Sequence, residues 1–475
     1  MRWRWSRLIL PGYLMACCAI LPLHGWLNDS PLVEAGGNRR IVLVLDGVPY
    51  ETIVKMRDEG LFSRFRPPAR MISTFPSLTN PAMIEILGMP DAPGYEDHYF
   101  DRTRNRLVGG LQDRIRGGKF IQGTFRQTFD YHASALKGSF AYLAAPVGAI
   151  SVAQWDLASF RQAFRRSKAP FFVGYLGATD SLTHLGGEPA IKDFLSTLDQ
   201  TLNELMDETG RNGGRLEIEI FSDHGNRYDK YRDVKLNAAL EKAGFVIEKS
   251  LRHPRGVVLP RYGLVGASEL FTAPENREKV ALVCAATQGV DFAAYPVKAE
   301  VIEVVSRRGR ARLSRAGERY RYEDLGGDPL GLNEVVHRLR ARGAMDPEDY
   351  ADRDAWWNET QTHRYIDAPR RLFGGFHSHV ANRADVLVSY EDGYLLGSPF
   401  MGFMARMVAT HGNLLPGETE GFAMSTRQTF SEALRGYELT KLLELDKRNR
   451  ADLMIRGVGH CEAGVLLARS LAGRE

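Results

Sequence analysis

Five side chains in this sequence have the types and spacing to hold a divalent cation. Asp180 and His184 stand four apart in "DSLTH", so they share one face if that segment opens a helix. Asp223 and His224 are neighbours in "SDHG", and Asp46 closes "RIVLVLD" just before Gly47. Carboxylate oxygens beside imidazole nitrogens suit Zn2+, or Mn2+ where oxygen ligands dominate. One Asp at a strand end is an ordinary turn or cap residue. Three such ends, two of them carrying a histidine, point to a metal centre.

A frame must bring these distant residues together. "RIVLVLD", "PFFVGYLGATD" and "RLEIEIFSDHG" are continuous apolar runs, as expected of strands buried on both faces of a parallel sheet. Between them "YETIVKMRDEG", segments near 129–145 and 155–166, and "AIKDFLSTLDQTLNELMDETG" carry helical spacing, and "DVKLNAALEKAG" follows as another helix. Strands alternating with helices predict a doubly wound α/β sheet covered on both faces. In such sheets the crevice beyond the strand C-termini binds ligands, and Asp46, Asp180 and Asp223 all fall there. From about 255 to 330 short strand-like runs surround one helix near 275–286, which predicts an α+β insertion. "GLNEVVHRLRARG" then reads as a helix returning to the core, and "ADVLVSY" as a fourth core strand.

"IVLVLDG", "STFPS", "YLGATDSLTH", "FSDHG" and a later "THG" occur in the order seen in the alkaline phosphatase superfamily. The set resembles its branch of type I phosphodiesterases and nucleotide pyrophosphatases over roughly 39–250 and 365–426. The resemblance implies a three-layer α/β/α sandwich and two metal ions, usually zinc. It also implies that Asp46, Asp223 and His224 hold one metal with the nucleophile oxygen, while Asp180, His184 and His411 hold the other. His411, in "ATHGNL", is preferred to His377 and His379 of "GGFHSHVAN" because it follows the "ADVLVSY" strand and carries the His-Gly step. The nucleophile in the resembling enzymes precedes Phe-Pro, which here is Thr74, with Ser73 as its rival. Ser77, Thr79 and Asn80 are then left to cap the helix of "PAMIEILG", with Pro81 at its first position. Relatives read "FPN" where this chain reads "FPS", and carry an Asn about twenty residues past the nucleophile. "GYEDHYFD" stands there instead, so His98 or Tyr95 becomes the expected phosphoryl contact.

The expected reaction is phosphoric ester hydrolysis through a phosphothreonyl enzyme, on a small phosphoester substrate. Two other readings share the site: a phosphotransferase serving a lipid or glycan hydroxyl, and a non-catalytic metal- or phosphate-binding protein. A sulfatase is disfavoured because no Cys or Ser stands in a C/S-x-P-x-R setting.

At 475 residues, 44% hydrophobic and 25% charged, the chain is long enough for a large core and a second unit. A formal charge of +4 gives no argument for a nucleic-acid partner. The local basic run Arg307 to Arg321 reads as a hairpin with a solvated face. "MRWRWSR" followed by "LILPGYLMA" resembles a secretory signal, and Leu14–Cys17 resembles a lipobox that would tether the chain through Cys17. The expected divisions are a signal or anchor at 1–28, catalytic core at 37–254, insertion at 255–345, and core again at 346–475. An exported, periplasmic or cell-surface location follows. Only Cys284 and Cys461 remain beyond the leader, too few for a disulfide framework.

Overall fold

The computed structural model describes residues 37–109, 128–133, 147–261, 263–399, 402 and 406–445. The expected anchor at 1–28 and Cys461 lie outside the described residues.

Three parallel strands form the centre: β1 (Asn38–Leu45), β6 (Phe171–Leu176) and β7 (Arg215–Phe221). They belong to a seven-stranded sheet with β2 (Ala69–Ile72), β5 (Tyr131–His132), β18 (Glu420–Ser425) and β19 (Ala433–Arg435). Its order is β19-β2-β18-β7-β1-β6-β5. The alternate residues of β1 serve opposite faces, as the strand pleat requires. Ile41, Leu43 and Leu45 pack against α1 (Tyr50–Asp58), α3 (Val147–Arg166) and α4 (Ala178–Arg211). Val42 and Val44 face α2 (Thr79–Leu87) and α10 (Gly436–Leu442). Each such side chain contributes about 1.5–3 kcal/mol when fully buried, which explains the run without polar alternation. The expected α/β/α sandwich is therefore present.

Register decides where the chemistry falls. Leu45 pairs with Leu176 and Val44 with Phe221, so Asp46, the segment reaching Asp180, and Asp223 leave the sheet at one edge. β18 runs antiparallel, with Ile72 opposite Glu420, so the chain enters it from that same edge. The segments after β2 and before β18 thus meet the three strand ends.

The remainder departs from the sequence reading. A second sheet of nine strands takes the order β8-β9-β10-β16-β11-β12-β13-β14-β15. Its members are β8 (Val246–Ile247), β9 (Gly256–Val258), β10 (Ala267–Thr272), β11 (Val290–Lys298), β12 (Val301–Ser306), β13 (Gly309–Ala316), β14 (Arg319–Gly327), β15 (Ala351–Asp352) and β16 (Val386–Tyr390). "ADVLVSY" contributes β16, which lies between β10 and β11 rather than in the first sheet. The helix of "GLNEVVHRLRARG", α7 (Asn333–Ala341), also stays with the second unit, burying Val335 and Leu339 with Tyr320 and Trp356 of α8 (Arg353–Thr360). A buried apolar strand has the same composition in either sheet, so pattern alone could not assign it. The second unit consequently begins before 255 and reaches past 345. α5 (Leu236–Lys242) and α6 (Arg277–Ala286) form as expected, and the Cys284 thiol of α6 is buried and free. Of the helix expected near 129–145, the described part holds only β5.

The basic run forms the β12–β13–β14 meander, with its charges largely matched. Arg308 pairs with Asp291 at 2.8 Å, Arg312 with Glu303 at 2.7 Å, Arg315 with Glu300 at 2.6 Å and Arg321 with Glu323 at 2.8 Å. These pairs match much of the run's charge locally.

Candidate metal centre and nucleophile

The six expected ligands converge at the shared sheet edge. One ligand atom each of Asp46, Asp223 and His224 lie within 4.8 Å of one another, as do those of Asp180, His224 and His411. His184 joins the second group through Asp180: its Nε2 is 3.1 Å from Asp180 Oδ1, and His411 Nε2 is 3.7 Å from that same oxygen. His224 stands at the junction, its ring stacked on His411 with centroids 3.9 Å apart. The first turn of α4 explains the Asp180–His184 pair, since i and i+4 share a face. The helix then breaks at Gly187, where φ is +68°.

Each imidazole is oriented in the same way. His184 Nδ1 lies 2.7 Å from Ala409 O, His224 Nδ1 2.9 Å from Gly225 O, and His411 Nδ1 2.8 Å from Ser77 O. A carbonyl only accepts, so Nδ1 carries a proton and Nε2 is the nitrogen turned to the centre. Burial lowers the His411 imidazole well below its usual range, and the stacked His224 adds to this, which keeps it in the neutral, ligating form. Burial would raise the Asp180 carboxyl, but His184 beside it prevails and holds it well below the ordinary range.

Asp223 tests whether a cation fits. It is fully buried, its Oδ1 accepts from Gly47 N at 3.2 Å, and its Oδ2 has no hydrogen-bond donor. Burial raises its pKa despite His224. A buried carboxylate oxygen without a donor is costly unless a positive charge faces it. The donor set of three carboxylates and three Nε2 atoms suits such ions.

The structure does not bring the hydroxyl of Thr74, the expected nucleophile, to the centre. Thr74 is buried, and its hydroxyl donates to Pro76 O at 3.0 Å, closing a turn within its own loop. The hydroxyl at the centre belongs to Thr79: Oγ1 lies 3.3 Å from both Asp46 Oδ1 and His224 Nε2. From Ser73 to Asn80 only Thr79 is not fully buried. Ser73 Oγ, the rival, is buried with no hydrogen-bond partner. Thr79 opens α2, with Leu78 as the cap residue, so Asn80 is no N-cap and instead donates to Gly94 O at 3.3 Å. The sequence signal was available: the stretch contains two Thr-x-Pro steps, at 74 and at 79.

Thr74 and Ser77 have another use. Arg371, on α9 (Ala368–His377), is buried and donates to Thr74 O at 3.0 Å, Ser77 Oγ at 3.2 Å and Thr419 Oγ1 at 2.7 Å. Its acceptors are neutral oxygens, and burial lowers its guanidinium to about 9. It clamps the loop that carries Thr79 to the segment before β18. Gly266, just ahead of β10, donates to His411 O at 2.7 Å, so the second unit also braces the centre.

Tyr95 is likewise corrected as a substrate contact. Its hydroxyl is buried, donating to Gly375 O at 2.7 Å and accepting from Ala384 N at 3.1 Å. His98 begins β3 (His98–Asp101), opposite Gly109 of β4 (Arg106–Gly109), and is half-buried. His377 and His379 stand elsewhere; His379 Nε2 meets Glu85 at 3.1 Å.

Two neighbours of the ligands escaped sequence reasoning. Tyr175, at the end of β6, donates its hydroxyl to Asp46 Oδ2 while stacking on Phe129 at 5.3 Å. Asn226 Nδ2 donates to Gly47 O at 2.7 Å and Asp180 Oδ1 at 3.2 Å. Gly47 has φ +66°, and a Cβ there would meet Asn226 Nδ2 at 2.5 Å and Asp180 Oδ1 at 2.6 Å, so the turn requires glycine.

A hydroxyl at a helix start beside clustered carboxylates and imidazoles, on a sandwich of this topology, is similar to what the phosphoric ester hydrolases of the alkaline phosphatase superfamily present. Residues 91–318 match the family described as type I phosphodiesterase / nucleotide pyrophosphatase, and it is this branch of the superfamily that the chain resembles. The match contains Asp180, His184, Asp223 and His224, and it runs into the second sheet. Among solved structures, human ectonucleotide pyrophosphatase / phosphodiesterase 5 is similar at 12% identity, covering 86% of this chain and 95% of its own, with a TM-score of 0.47. Phosphonoacetate hydrolase from Sinorhizobium meliloti 1021, in complex with phosphonoformate, is similar at 15% identity, covering 85% and 94%, with a TM-score of 0.47. No curated protein matches.

Proposed function

We propose that this chain is an exported, membrane-tethered phosphodiesterase that holds two zinc ions and acts through a phosphothreonyl intermediate on Thr79. The observation that carries the reading is the Thr79 hydroxyl 3.3 Å from Asp46 and His224, beside buried Asp223. Asp46, Asp223 and His224 would hold one ion and Asp180, His184 and His411 the other. When bound, such ions offset the charge of a phosphate ester and make oxygen nucleophiles available at neutral pH.

The chain's own residues do the rest. Thr79 Oγ1 attacks phosphorus, forming an O–P bond as the ester oxygen departs, and the hydroxyl proton leaves toward Asp46 Oδ1. The start of α2 favours negative charge beside Thr79 through the helix dipole. Water then attacks the phosphothreonine from the opposite side, releasing the phosphoryl product and restoring the Thr79 hydroxyl. Tyr175 fixes the Asp46 carboxylate, and Arg371 holds the loop in place.

Export and tethering rest on the basic start, the short apolar run and Leu14–Cys17. Among the described residues no helix is long and apolar enough to cross a membrane. Labelled-palmitate incorporation that disappears in Cys17→Ala is the expected sign of the tether. For the activity, purified protein is given bis-(p-nitrophenyl) phosphate and p-nitrophenyl phosphate, before and after chelation and zinc add-back. Diester cleavage lost on chelation and restored by zinc is expected. Turnover that survives complete metal removal, or none in zinc-loaded protein, would end the proposal.

A further inference from the structure

Asn226 is 2% exposed and lies between the two ligand groups. Its Nδ2 faces two acceptors, Gly47 O at 2.7 Å and Asp180 Oδ1 at 3.2 Å. A reversed amide would set oxygen against oxygen, so the nitrogen must point this way. Gly47 follows Asp46 directly, and its own N–H donates to Asp223 Oδ1 at 3.2 Å. On the other side, the oxygen that Asn226 holds is the one facing His184 and His411. A single amide nitrogen thus joins the turn behind one ligand group to the ligand atom of the other. The contact has no slack, since even a methyl group on Gly47 would collide with both Asn226 and Asp180.

We propose that Asn226 is a positioning residue that couples the two metal sites, so that filling the Asp46–Asp223–His224 group prepares the Asp180 group for its ion. An ion drawing Asp46 and Asp223 together fixes the Gly47 peptide. Gly47 O then fixes the amide, and the amide fixes Asp180 Oδ1 at the orientation shared with His184 and His411. Groups behind metal ligands change affinity by roughly 10–100-fold when removed. The inference rests on the two-metal reading.

The test is a zinc titration of metal-stripped full-length protein against a chromophoric chelator, with apo-protein melting followed in parallel. Asn226→Leu keeps the branched shape and loses the donor; Asn226→Ala, which crowds nothing, answers if leucine prevents folding. Two ions are expected in the wild type. In both variants the first ion should bind within about threefold of wild type and the second roughly 10–100-fold more weakly. In an Asp223→Asn background, where the first group is disabled, the effect of Asn226→Leu on the Asp180 site should shrink to less than about threefold, as a double-mutant cycle requires of a coupled pair. Second-ion affinity unchanged in the leucine variant, or an equal loss in both backgrounds, overturns the proposal. Wild-type protein binding fewer than two zinc ions fails the two-metal reading itself, a separate and recognisable outcome.

Discussion

Thr79→Ala and Thr74→Ala should behave in opposite ways. Thr79 supplies the attacking atom, so its loss leaves only substrate positioning and charge stabilisation. A fall of at least about a thousandfold in kcat is expected, about 4 kcal/mol of barrier. Because Thr79 is only partly buried and caps nothing with its side chain, the melting temperature should hardly move. Thr74→Ala removes one buried bond of 3.0 Å and a methyl group. That is worth roughly 1–2 kcal/mol of stability and a few degrees in Tm, with turnover within about threefold of wild type. The assay is diester hydrolysis by zinc-loaded protein, with melts of each variant and trapping of phosphoenzyme by acid quench. Phosphate recovered on residue 79 in wild type completes the case. Turnover abolished in Thr74→Ala but retained in Thr79→Ala would refute the assignment.

Tyr175→Phe deletes the hydroxyl on Asp46 and should weaken zinc binding roughly 10–100-fold, read by chelator competition, while the stacked ring keeps the fold. Gly47→Ala forces a side chain at φ +66° into Asn226 and Asp180; metal binding should be lost before the protein unfolds, seen as zinc content near zero in a cooperatively melting sample. Burial would raise the Glu85 carboxyl, but Arg370 at 2.9 Å and His379 at 3.1 Å hold it well below its usual range. A depressed folded pKa stabilises above the unfolded value of about 4.3 and is lost as pH falls below it. Glu85→Gln should therefore cost about 3 kcal/mol or more at pH 7, with the gap to wild type narrowing below about pH 4 in melting experiments.

The clustering of five of the six expected ligands was legible because each stands at a strand or helix end with a chemically unusual neighbour: Asp46 before Gly47, Asp180 four before His184, Asp223 beside His224. The parallel core was legible too, since strands buried on both faces must be apolar throughout. Two features were not. "ADVLVSY" has the composition of a central strand, and only its pairing with β10 and β11 reveals the sheet it joins. Thr74 was expected at the centre because the residues around it match the family's order, whereas the hydroxyl with the geometry is that of Thr79, five positions on. Register within a loop is fixed by contacts such as Arg371 on Thr74 O, between residues nearly three hundred positions apart.

The main-chain carbonyls behind the three histidines carry a consequence for how this centre can vary. Side chains at Ala409, Gly225 and Ser77 can be exchanged without deleting the oxygen that selects each tautomer. Point substitution therefore has no direct route to removing these acceptors; only insertions, deletions or shifts of whole segments do. Exchange at Ala409 leaves the oxygen in place, whereas Gly225 is fixed on other grounds, since a Cβ there would meet Glu420 O at 2.7 Å and Gly417 O at 2.8 Å, and the Ser77 hydroxyl is used by Arg371. Changes in loop length next to His184, His224 or His411 become the steps by which such a site is lost or remade.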